Sequence, residues 1–195
     1  MQKRLFGAFI GAILVFGWQA MSHMVMLHHN MGMKQVPGQE EAIKTLSQIF
    51  KDEGRYIVPR VDPVASKSEK ARFEKSMNGK PWAIVTYHPR YNIRMGLSVA
   101  RSFVIALICV MLLIYILGKN PGNFSTILFK SIAWGLFAFL FVWYNNHIWL
   151  QTPWSVLWGE LIDLLIAWTL CGFWLGYWLK SNQSKRVGYG MGFGI

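Results

Sequence analysis

The sequence predicts an all-α polytopic membrane protein: a four-transmembrane-helix bundle with a small extracytoplasmic α+β insertion between helices 1 and 2. Three observations carry that prediction. The 195-residue chain is 53% hydrophobic and has a mean hydropathy of +0.29, too apolar for an average soluble domain. Its apolar residues gather in four runs, 5–27, 99–118, 127–148 and 155–179, each near the roughly 20 residues that a bilayer crossing needs. Only the stretch 28–97 reads as water-exposed. The expected divisions are therefore residues 1–27 (N-terminus and first span), 28–97 (cap), 98–179 (spans 2 to 4) and 180–195 (a glycine- and aromatic-rich tail).

The first span follows Lys3 and Arg4, which place the N-terminus in the cytoplasm by the positive-inside rule. The same start, with Ala20-Met21-Ser22 further on, resembles a secretory signal peptide cleaved before His23. Apolar character continues to Leu27, so an uncleaved anchor is expected. Gly7-x-x-x-Gly11 in this span permits close helix contact.

The outer segment reads as helix, strand, helix, strand. In EEAIKTLSQIFKDEG, residues Ala42, Leu46, Ile49 and Phe50 recur at helical spacing, with Gly54 as the expected stop. SKSEKARFEKSMNG opens with a capping-box pattern, Ser66 to Glu69, and closes at Asn78-Gly79. YIVPRV and WAIVTYHP are rich in β-branched and aromatic residues and are expected to pair. Two short strands make no stable sheet alone, so the cap needs a further surface to rest on.

Spans 2 and 3 are joined by KNPGNFST, containing Lys119, and Lys130 lies one turn into span 3. The connection between spans 3 and 4, NNHIWLQTP, has no Lys or Arg, and Lys180, Lys185 and Arg186 follow span 4. Both termini are thus expected inside and residues 28–97 outside, in the periplasm if the membrane is a bacterial inner membrane. Eight of the ten tryptophans fall from Trp134 to Trp178 and form belts at both interfaces. Gly172-x-x-x-Gly176 repeats the small-residue spacing in span 4. Cys109 and Cys171 are expected at different depths, as free thiols filling apolar space.

The net charge of +11 does not mark a nucleic-acid binder. Twelve of the twenty basic residues share 28–97 with seven of the nine acids, which makes that region mixed, and the others flank the spans.

Ionisable residues inside spans are the strongest functional pointers, because a charge in mid-bilayer costs on the order of 3 kcal/mol or more. Span 4 carries Glu160 and Asp163; span 1 carries Gln19 and His23. At 1.5 Å per residue, His23 and Gln19 lie about 6 and 12 Å below the outer end of their helix, and Glu160 and Asp163 about 8 and 12 Å below the same surface. Arg101, Asn145, Asn146 and His147 are expected near that level. Two neighbouring acids in a low dielectric call for a cation, which Arg101, His23 or a bound metal could supply.

MSHMVMLHHNMGM, residues 21–33, offers a soft-metal reading through His23, Met24, Met26, His28, His29, Met31 and Met33. Thioethers favour Cu(I), and imidazole takes copper or zinc. The spacing is not a fixed ligand pattern, and methionine also fills apolar gaps where a helix leaves the membrane. Packing and interface solvation is the expected role.

No catalytic motif is present, and in outline the chain resembles small four-span bacterial membrane proteins, a likeness that implies no activity. The sequence leads to a non-catalytic accessory or assembly subunit of a larger membrane complex, with the lipid bilayer and a membrane-protein partner or a second copy as its surroundings. No cofactor is expected, copper excepted. The alternatives are copper handling at the outer boundary, and a transporter, channel or membrane enzyme using an outward-facing acidic/His pocket.

Overall fold

The computed structural model describes residues 2–26 and 32–190, with the side chains of 181–190 left aside. Four helices are long and apolar enough to cross a membrane. They are α1 (Gln2–Val25), α4 (Met95–Leu117), the run Phe124–Leu150, and α7 (Trp154–Gly190), whose apolar part ends at Lys180. The 24 residues of α1 rise about 36 Å, enough for a hydrocarbon core of about 30 Å. The third helix is composite: α5 (Phe124–Ala138), a π-helical segment (Phe139–Tyr144) and α6 (Asn145–Leu150) follow one another without a break. The backbone of α7 stays helical through Gly190, beyond the point where a tail was expected.

Residues 35–93 form a compact unit of their own, and the four long helices form the other. Within the helical unit, α7 packs against α1 and α5, and α4 packs against α1; α4 and α5 touch each other far less. The core is built from Ala12, Val110, Leu113, Ile127, Cys171 and Leu175, all nearly inaccessible. Both cysteines are free thiols within or against this core, in keeping with their expected role as apolar fillers.

Glycines set the spacing between helices. A Cβ on Gly7 would lie 2.8 Å from the Trp178 ring, and one on Gly11 3.0 Å from Val110 and 3.3 Å from the Cys171 sulfur. On the other side of α7, a Cβ on Gly172 would meet Ser131 at 2.7 Å, and one on Gly135 of α5 would meet Trp168 at 2.6 Å. The contacts at Gly7, Gly135 and Gly172 are closer than real Cβ atoms come and those at Gly11 are unusually tight, so the helices approach here because the side chain is missing.

The smaller unit contains α2 (Gln39–Ile49), β1 (Gly54–Val58), α3 (Lys67–Met77) and β2 (Ala83–Tyr87). The strands pair antiparallel, from Gly54 opposite Tyr87 to Val58 opposite Ala83. Helix α2 ends at Ile49, and Gly54 opens a strand where a helix stop was expected. Phe50 is the reason: it turns extended, stacks on Tyr56 with ring centroids 4.1 Å apart, and is buried with Tyr87. The Ser66–Glu69 capping box forms in full, and α3 runs out at Asn78, before Gly79 at φ 74°.

Candidate functional site: a polar cluster between two helices

Asp163 is the one buried acid among the described residues, 3% exposed on the face of α7 that meets α1. A lone carboxylate in apolar surroundings is costly, and it persists where donors or a cation reach it. Ser22 supplies a donor: its hydroxyl, wholly buried, donates a hydrogen bond to Asp163 Oδ1. His23, the next residue on α1, brings Nδ1 to 3.5 Å from Asp163 Oδ2. That nitrogen also lies 3.0 Å from the Gln19 carbonyl oxygen. A carbonyl oxygen only accepts, so Nδ1 carries the proton and shares it between the helix backbone and the carboxylate. The imidazole itself is 52% exposed, so the pair joins a buried carboxyl group to an exposed ring.

Glu160, one turn from Asp163, is partly buried and lines a cleft of about 170 Å³ with Gly32, Met33, Ser155 and Val156. Gly32 lets the chain cross this spot, since a Cβ there would fall 2.7 Å from Val156 Cγ2. Trp18, one turn below Ser22, holds its indole Nε1 buried with no hydrogen-bond partner among the described residues.

The other residues expected near this level do not join Asp163. Arg101 is exposed on α4 and forms no ion pair among the described residues; Asn145 is also exposed. His147 serves the turn between α6 and α7: its Nδ1 donates to the Thr152 carbonyl at 2.7 Å, and its ring lies 4.5 Å from that of Trp154. Thr152 closes the same turn with a hydroxyl bond to the Asn146 carbonyl at 3.4 Å, around Gln151 at φ 50°.

Of the candidate soft-metal ligands, His28, His29 and Met31 lie outside the described residues. Helix α1 ends at Val25, with the Met26 amide still bonded to the Ser22 carbonyl. Met24 and Met33 are largely exposed, 76% and 72%. Among the described residues no group of three or more His, Cys, Asp or Glu side chains is placed to hold a metal.

Ser22 had not stood out in the sequence, because a serine in a helix commonly bonds its own backbone. Its neighbour His23 and the depth of Asp163 were the signals that could have drawn attention to it. The opposite end of the helices holds a second set of long-range bonds. Trp174 Nε1 donates to the Gly7 carbonyl at 2.9 Å, Trp178 Nε1 to the Lys3 carbonyl at 2.8 Å, and the Arg4 guanidinium to the Gly118 carbonyl.

These features define a four-helix protein with the dimensions of an integral membrane protein and an internal carboxylate shared by its first and last helices. No protein-family model, curated protein or solved structure matches the chain, so the functional reading rests on its own residues.

Proposed function

We propose that the protein is a non-catalytic accessory or assembly subunit of a larger membrane complex, with both termini in the cytoplasm and the 35–93 unit in the periplasm. The observation that carries this reading is Asp163. Its carboxylate engages Ser22 and His23 of α1, so the intramembrane charge acts inside one helix pair, as a register-fixing bond does. Two further observations favour it. The 35–93 unit buries only Phe50 and Tyr87 of its large side chains and leaves Ile43, Ile49 and Trp82 exposed, a core too small to stand alone. Helix α4, helix α5 and the π-helical segment present Ile105 and Leu112, Phe137, and Phe141 outward, a surface suited to lipid or to a partner helix. Purification of the full chain from its native membranes in mild detergent tests the proposal: a partner should accompany it at fixed stoichiometry. A well-behaved monomer with no partner would overturn it.

One observation favours soft-metal handling as the second reading. An imidazole whose Nδ1 is anchored on a carboxylate is the usual arrangement of a metal-ligating histidine, and Met33 and Glu160 share a cleft near the end of the same helix pair. Protein purified without a histidine tag, loaded with Cu(I) or Zn(II) and dialysed, should retain about one equivalent on this reading. Retention of none rejects it.

A further inference from the structure

Three distant pieces of the chain meet at the end of the helical unit opposite Asp163. The Arg4 guanidinium bonds the Gly118 carbonyl, which brings residues 3–4 against 118–119; the Trp178 indole bonds the Lys3 carbonyl, which brings 178–180 to the same place. The side chains of Lys3, Lys119 and Lys180 are exposed there. The helical unit contains only two acids, Glu160 and Asp163, and Asp163 lies 17 residues from Lys180 along α7, about 25 Å at 1.5 Å per residue. Four cations therefore share one end with no acid of this unit near them. Beside them Trp178 stacks on Trp174, with centroids 5.3 Å apart, and touches Phe6 at 5.2 Å, while both indole N–H groups are occupied by the backbone of α1. What remains for a ligand is a set of ammonium and guanidinium donors next to apolar ring faces.

We propose that this end binds the phosphate headgroup of an anionic phospholipid, with Lys3, Arg4, Lys119 and Lys180 around the phosphate and the Phe6–Trp178–Trp174 stack against the glycerol and upper acyl chain. Phosphate oxygens accept strongly from Arg and Lys, and cations at a bilayer surface each raise the affinity for anionic lipid several-fold. The ring stack is what selects a lipid over soluble phosphate, which has nothing to lay against it. The proposal does not depend on which side of the membrane this end faces.

Native mass spectrometry of the full chain in mild detergent, offered equimolar phosphatidylglycerol and phosphatidylcholine, tests it. The wild type should retain phosphatidylglycerol at least tenfold over phosphatidylcholine. Substituting Lys3→Gln, Lys119→Gln and Lys180→Gln together should lower the ratio at least tenfold, since each lysine contributes up to about fivefold. The control Lys44→Gln, Lys51→Gln, Lys75→Gln removes the same charge from the other unit and should leave the ratio unchanged. Equal retention of both lipids by the wild type, an equal loss in the control, or displacement of the lipid by equimolar inorganic phosphate would each overturn the proposal. The wild-type ratio alone decides it if the triple variant fails to fold.

Discussion

Ser22 donates its hydroxyl to the carboxylate of Asp163, joining the first and last long helices across 141 residues of chain. Both groups are buried, and the partnership is asymmetric: losing the hydroxyl leaves a carboxylate with one donor fewer, whereas losing both removes the need. Ser22→Ala should therefore lower stability by about 1–3 kcal/mol. The double variant Ser22→Ala, Asp163→Leu should fall short of the sum of the two single losses, because a buried polar pair can be replaced by apolar side chains at little cost. Thermal or denaturant unfolding in one detergent measures all four states; strict additivity would show that the two residues are not coupled.

The glycine contacts predict a position-specific pattern. Gly135→Ala forces a methyl group toward Trp168 and the Leu164 carbonyl, 2.6 and 3.0 Å away, and should cost about 1–3 kcal/mol. Gly17→Ala, with nothing within 4 Å, should be neutral or mildly stabilising through helix propensity. Parallel unfolding curves check this, and equal effects at both sites would contradict the close approach of α5 to α7.

Outside the spans, Glu69 has its carboxyl held below the ordinary value, first by the Ser66 side-chain hydrogen bond and then by its bond to the Ser66 backbone. A depressed folded-state value means the contribution to α3 is in place above the unfolded value. It is lost as pH falls through the folded value, in the acid range below that of an ordinary glutamate. Backbone amide shifts of residues 66–69, followed by NMR on acidification, should move together with the Glu69 carboxyl. Glu69→Gln should abolish that transition.

Metal removal separates the two functional readings. On the accessory-subunit reading, treatment with a Cu(I) chelator leaves the unfolding midpoint of the purified protein unchanged, and His23→Ala does not alter its metal content. A midpoint that rises with added Cu(I), and a rise that His23→Ala or Met33→Leu removes, would favour the soft-metal reading.

The sequence made the four long helices legible because each apolar run is as long as a bilayer crossing, and their ends differ from the expected ones by only a few residues at most sites. The paired strands were readable in the β-branched runs YIV and AIV, where Ile57 lies opposite Ile84 and Tyr56 opposite Val85. Hydropathy gives depth, and depth alone placed the Gln19–His23 pair level with Glu160 and Asp163; the His23–Asp163 contact is offset by about one turn from that match. It does not give the face of a helix, which is why Arg101, matched by depth, lies exposed on α4. The π-helical segment left no mark in FLFVWY, an unbroken apolar run with no residue that distinguishes it from the α-helix on either side. Nor could the bonds from Trp174 and Trp178 to α1 be read in advance, since they depend on a glycine and a bare carbonyl some 170 residues away meeting an indole edge.

The most direct test of the central claim, that the Asp163 carboxylate binds helices together rather than carrying protons or cations, is the partner stoichiometry of Asp163→Asn purified from native membranes. Asparagine keeps the Oδ1 acceptor for Ser22, removes the charge, and replaces the Oδ2 acceptor facing His23 with an amide NH2, while His23 Nδ1 keeps the Gln19 carbonyl. The account predicts a folded protein that brings down the same partner in the same ratio as the wild type. A folded Asp163→Asn protein that no longer assembles, or that assembles but abolishes a proton- or metal-dependent activity of the complex, would contradict it.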